Sequence, residues 1–139
     1  MVQTHAKEAW TLLSTDAAAL RVFERKVLRK NFDTVRVADD FRIRFNSELY
    51  KLLNDMDVVL HINIQRLRWL GHVVRMEEDA LARRVFDAGI CGSRQRGRPY
   101  IRWKDQIEEA LSSIGVTNWR RRAKSRSAWK DVLRQAEIR

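Results

Sequence analysis

The sequence predicts an all-α fold of about six or seven short helices, forming one helical bundle or two loosely joined helical halves. Three observations carry this: apolar residues recur at spacings of three and four, one proline and five glycines are spread over 139 residues, and 33% of residues are charged. Such a balance suits helices that bury one stripe and leave a heavily charged outer face in water.

Taken in order, Ser14, Thr15 and Asp16 form an N-cap cluster, and Leu20, Phe23 and Val27 follow on one face. Together they predict a helix over 15–31, its remaining surface filled by Arg21, Arg25, Lys26, Arg29 and Lys30. Residues 31–40 read as a connector. Asn46 is placed to cap a short helix carrying Leu49, Leu52 and Leu53. Asp57 is placed to cap a longer one in which Val59, Ile62, Arg66, Leu70 and Val73 share a stripe. The β-branched Val58, Val59, Ile62 and Ile64 also suit a strand, but the repeat persists to about residue 75, well past the usual strand of about 5 to 6 residues. Glu77, Glu78 and Asp79 then open another helix at its positive end, and Gly89 closes it after Leu81, Val85 and Phe86.

Residues 89–99, GICGSRQRGRP, form a basic Gly/Arg linker between a helical region over 1–88 and a basic helical region over 100–139. Pro99 suits a first helical turn, after which Tyr100, Trp103, Ile107, Leu111 and Ile114 lie on one face until Gly115. Thr117 or Asn118 is placed to cap a helix carrying Trp119 and Ala123. Trp129, Val132, Leu133 and Ala136 mark a last helix after Ser125 to Ser127.

Charge is the strongest functional signal. The chain carries a net +10, and residues 89–139 hold 13 Lys and Arg against 5 Asp and Glu. A polyanion is the partner such asymmetry fits, because each cation set on a phosphate releases condensed counterions. The densest cluster is Arg120, Arg121, Arg122, Lys124, Arg126 and Lys130, flanked by Trp119 and Trp129. These two tryptophans are candidate stacking residues for unpaired bases, though a place in the core is the preferred reading for both. Arg94, Arg96, Arg98, Arg102 and Lys104 form a second patch, and RQRGRP resembles an AT-hook, whose arginines enter a narrow minor groove.

Other chemistry finds little support. Cys91 is the only cysteine, and His5, His61 and His72 are scattered, so neither a disulfide framework nor a metal-ligand spacing is present. Asp39 and Asp40 follow Ala38 as in a metal-binding polymerase pair, yet Val37 stands where an aromatic is usual, and adjacent aspartates ordinarily mark a solvated turn. Gly71, mid-helix at a cost of about 1 kcal/mol, asks for a reason; close helix packing is preferred over approach by nucleic acid. No apolar run approaches the roughly 18 residues of a membrane span, and the first residues lack a signal-peptide core. The expectation is an intracellular and nuclear protein with no catalytic residue, metal, cofactor, small-molecule substrate or membrane partner.

Several phrases together resemble the region after the palm in non-LTR (LINE-type) retrotransposon endonuclease-reverse transcriptases. They are WTLLSTDAAALRVFERKVLRK at 10–30, FRIRFNSELYKLL at 41–53, IQRLRWLGHVVRM at 64–76, RGRPYIRWKDQIEEAL at 96–111 and NWRRRAKSRSAWKDVLRQA at 118–136. The resemblance implies that residues from about 10 to 55 correspond to a thumb that holds primer and template, and the remainder to a basic extension. Neither the palm nor the endonuclease of that family is present in these residues, so a fragment without polymerase activity of its own is implied. Two functions follow as expectations: a module gripping RNA or an RNA/DNA duplex, or a protein-interaction remnant or inert copy that docks on a polymerase body. The second would leave the apolar face of residues 100–114 exposed.

Overall fold

The computed structural model describes residues 11–53, 56–88, 97 and 102–138. Among these it contains α1 (Ser14–Asn31), a hairpin of β1 (Val35–Val37) and β2 (Asp40–Arg42), α2 (Asn46–Leu52), α3 (Val58–Val74), α4 (Leu81–Asp87), α5 (Trp103–Ser113), α6 (Trp119–Lys124) and α7 (Arg126–Glu137). The fold class is therefore the helical one that the sequence predicts. The hairpin falls where a connector was expected. Its antiparallel register pairs Val35 with Arg42, Arg36 with Phe41 and Val37 with Asp40, around a two-residue turn with Ala38 at φ 56°. Val35, Val37 and Phe41 supply the β-branched and aromatic side chains that favour extended backbone.

Helix starts follow one device that the sequence reading placed a few residues off. In α1, α2 and α5 an acidic residue in the first turn reaches back to the backbone N–H before the helix. Leu13 donates to Asp16 at 3.3 Å, Phe45 to Glu48 at 2.8 Å and Arg102 to Asp105 at 3.1 Å. Each satisfies a donor that the helix itself leaves orphaned. Asn46 is thus the first helical residue and not a cap; its side chain accepts from Arg29 at 2.6 Å. Asp57 does cap α3, accepting from the Leu60 N–H at 2.7 Å.

Two compact units divide the chain, one of Leu12–Asn63 and one taking in the described residues from Ile64 onward. In the first, Leu49, Val59 and Ile62 are buried, while α1 buries no residue at all. Polar contacts hold α1 instead. Arg21, Arg25 and Arg29, four residues apart and so on one face, donate to Asp57 at 2.6 Å, to the Tyr50 hydroxyl at 3.3 Å and to Asn46 at 2.6 Å.

The second unit has the larger core, built from Leu67, Leu70 and Val74 of α3, Ile107 and Leu111 of α5, Val116, Ala123 of α6, and Trp129, Val132 and Ala136 of α7. Residues before and after the segment 89–99 share this core, so that segment does not separate two folding halves. All five stripe positions read from the sequence, Val59, Ile62, Arg66, Leu70 and Val73, are buried. Trp129 explains Gly71: a Cβ there would overlap the indole far inside van der Waals contact, while the indole N–H donates to the Leu67 carbonyl at 3.0 Å. Gly115, at φ 73°, ends α5 in a Schellman turn. In it, Gly115 donates to Ser112 and Val116 to Leu111, both at 3.0 Å. The same turn drops Val116 onto Leu111 in the core and sets the direction of α6.

Candidate nucleic-acid interface

α6 is a six-residue helix with two apolar positions, Trp119 and Ala123, and four cations. Since residues four apart share a face, burying Ala123 and half-burying Trp119 leaves Arg120, Arg121, Arg122 and Lys124 outward, and all four are exposed. α7 continues the pattern. Trp129, Val132 and Ala136 face the core, and Arg126 and Lys130, one turn apart, are exposed. Ser125 links the two helices, its hydroxyl accepting from the Ala128 N–H at 3.4 Å.

Arg121, Arg122, Lys124, Arg126 and Lys130 have no carboxylate partner among the described residues; the same holds of the exposed Lys26, Lys30, Lys51 and Arg84, which lie apart from this cluster in sequence, while other cations are paired. Arg42 forks onto Glu48 at 2.6 and 2.9 Å, Arg68 pairs with Glu137 at 3.6 Å, and Arg134 pairs with Asp131 at 3.4 Å. Positive charge is further concentrated by Arg75, which donates to the Ala123 carbonyl at 2.8 Å and so binds the last turn of α6. Burial and the neighbouring Arg126 charge both press the Arg75 guanidinium below its ordinary pKa.

Arg120 is differently placed. It lies 3.2 Å from Asp87, and its guanidinium sits 4.8 Å from the Trp119 ring centre and 5.7 Å from that of Phe86. Burial pushes the Asp87 carboxyl up, but the hydrogen bonds and charges of Arg120 and Arg83 outweigh it and hold the group below the usual carboxylate range. Lys104, from the second predicted patch, lies 5.5 Å over the same Phe86 ring. Thus Lys104 and Arg120, distant in sequence, meet at one aromatic. Phe86 also meets Trp103 at 6.2 Å and Trp119 at 6.3 Å, both edge to face. Beside this cluster is an open recess of about 490 Å³ lined by Asn118, Trp119, Arg120 and Arg121.

Of the remaining expected site residues, Arg102 is half-buried at the start of α5. Arg94, Arg96 and Arg98 lie outside the described residues, as do Gly89, Pro99 and Tyr100. Trp129 is a correction as a stacking candidate: at 2% exposed, with its N–H already donated, its ring offers no face to a base. Phe86 and Arg75 were not singled out from the sequence. Phe86 carried a weak signal, as the aromatic beside Asp87 in a short helix whose other large apolar residues, Leu81 and Val85, are exposed. Arg75 carried none, because its partner is a backbone carbonyl 48 residues away.

Asp39 and Asp40 occupy the hairpin tip. The Asp39 carboxylate is fully exposed and 3.9 Å from Arg36, and Asp40 accepts from the Phe41 N–H at 2.7 Å, the geometry of a solvated turn. Among the described residues no group of three or more His, Cys, Asp or Glu is placed to hold a metal ion, and no helix is long and apolar enough to cross a membrane. No protein-family profile, curated protein or solved structure matches the chain.

Proposed function

We propose that the chain is a helical nucleic-acid-binding module, derived from a LINE-type reverse transcriptase and without a catalytic centre of its own. It grips the phosphate backbone of RNA or an RNA/DNA duplex through α6 and α7. The observation that carries this reading is the set of five exposed cations, Arg121, Arg122, Lys124, Arg126 and Lys130, on two consecutive helices with no carboxylate partner among the described residues. Charge contacts position a nucleic acid without reading it, so sequence preference is weak. Fluorescence-anisotropy titrations over a salt series test the reading. If about five phosphates are engaged on duplex DNA, the log–log slope is near −4.5, and Arg121→Ala/Arg122→Ala/Lys124→Ala flattens it by about 2.7. A slope unchanged by the triple substitution would sink it.

A second reading, a surface that docks on a protein such as a polymerase body, draws support from the first unit. Phe23, Phe41, Ile43 and Phe45 are 55 to 66% exposed there, four large apolar side chains left largely in water. The face expected to provide such a surface, on α5, does not: Ile107 and Leu111 are buried at 3% and 0% exposure. Sedimentation across a concentration series, with Phe41→Ser/Phe45→Ser in parallel, separates this reading from the first. Association abolished by the pair supports it; a monomer at every concentration counts against it.

A further inference from the structure

We infer that the recess beside α6 is a stacking site for one unpaired nucleobase of a single-stranded nucleic acid, with Arg121 beside the adjoining phosphate. This rests on the phosphate-gripping reading and adds to it what the strand must present: a base free of a duplex.

The chemistry of the recess is not that of the cationic surface around it. Trp119 borders the recess; it is half-buried, packed against the core and held by Phe86, which meets it edge-on at 6.3 Å. An aromatic fixed in this way loses little freedom when a second ring stacks on it. Arg120 forms a layer against that ring at 4.8 Å and is tethered by Asp87 at 3.2 Å, so a guanidinium and an indole are presented together. Bases stack on both kinds of surface, whatever their identity. Asn118 supplies the polar edge. It adopts a left-handed conformation at φ 54°, which asparagine tolerates better than most residues, and its side chain makes no cap bond to α6. Among the described residues the amide has no partner, which leaves a donor and an acceptor for the edge of a base. The recess, about 490 Å³, is open to solvent, so a base would lie against its floor and not be enclosed. A phosphate alone could accept from the amide but would not use the ring, and a paired base has its faces covered by its neighbours in the stack.

The test compares two short fluorescein-labelled strands of equal length and equal phosphate charge, oligothymidylate and its fully abasic counterpart, with a hairpin duplex as third probe. The protein is the intact chain, wild type and Trp119→Leu, a substitution that keeps an apolar side chain against Phe86; thermal melts check that the variant folds. The expected result is that wild type binds oligothymidylate about 5- to 100-fold more tightly than the abasic strand. Trp119→Leu should bring the two strands to parity, leaving duplex affinity and the salt slope in place. Equal wild-type affinity for the two strands overturns the base site while leaving phosphate gripping intact, whatever the fate of the variant. Loss of binding to every probe overturns both readings. A base preference that survives in folded Trp119→Leu overturns the placement at α6.

Discussion

Gly71 and Trp129 form a single steric unit, and its energetics can be stated in advance. Alanine is favoured over glycine in a helix interior by about 1 kcal/mol, but a Cβ at 71 falls on the indole. Overpacking of this kind typically costs about 1 to 3 kcal/mol, so Gly71→Ala should lower the denaturant midpoint, and combining it with Trp129→Leu should cost less than the sum of the two single substitutions. Ala38 presents the opposite case. At φ 56° it holds a conformation that costs an L-residue about 1 to 2 kcal/mol. Ala38→Gly should therefore raise stability by up to about 1 kcal/mol after glycine's own entropy is counted, read by the same denaturant titration. Glu48 contributes a pH dependence. The two hydrogen bonds from Arg42, and a third from the Phe45 N–H, hold its carboxyl at about 2 against an ordinary 4.5. The folded pKa is the lower one, so the stabilisation is complete above about pH 5 and is lost as pH falls toward 2. Thermal midpoints over that window should fall less steeply in Glu48→Gln than in wild type.

At the level of elements, α6 separates stability from binding. Among the described residues the side chains of Arg121, Arg122 and Lys124 make no hydrogen bond or ion pair, and they crowd like charges onto one short helix. Changing all three to alanine should leave the melting temperature unchanged or slightly raised while weakening nucleic-acid binding. Arg120→Ala should instead cost stability, by about 0.2 to 1 kcal/mol for an exposed ion pair. These elements also show what the sequence made legible. The α3 stripe could be read because a 3.6-residue repeat sustained over 17 residues has few other interpretations. The end of α5 could be read because glycine is the residue that enters the left-handed turn at 115 at least cost. The hairpin could not, since three-residue strands are too short for an alternating pattern to stand out. The face of Leu20, Phe23 and Val27 marked α1 correctly as a helix, but periodicity identifies only the side that can be buried: Leu20 and Val27 are half-buried while Phe23 is 55% exposed. The cations of α6 were legible as a cluster, but Phe86 and Arg75, which organise that cluster, depend on contacts across tens of residues that no local pattern encodes.

At the scale of the chain, the second unit's core draws on residues from both sides of 89–99, so it cannot form from either side alone. A fragment ending at residue 88 leaves Leu67, Leu70 and Val74 without Leu111, Trp129 and Val132. Its circular dichroism melt should lack the cooperative transition that the intact chain shows. The same core puts two tryptophans of one short stretch to opposite uses, with Trp129 enclosed and hydrogen-bonded to Leu67 and Trp119 bordering an open recess. In deuterium oxide the Trp129 indole proton should outlast those of the exposed rings and exchange only when the whole core opens. Two nitrogen–proton spectra of the same protein would then give two independent gauges, one indole resonance timing global unfolding in deuterium oxide and another shifting with added oligonucleotide in ordinary water.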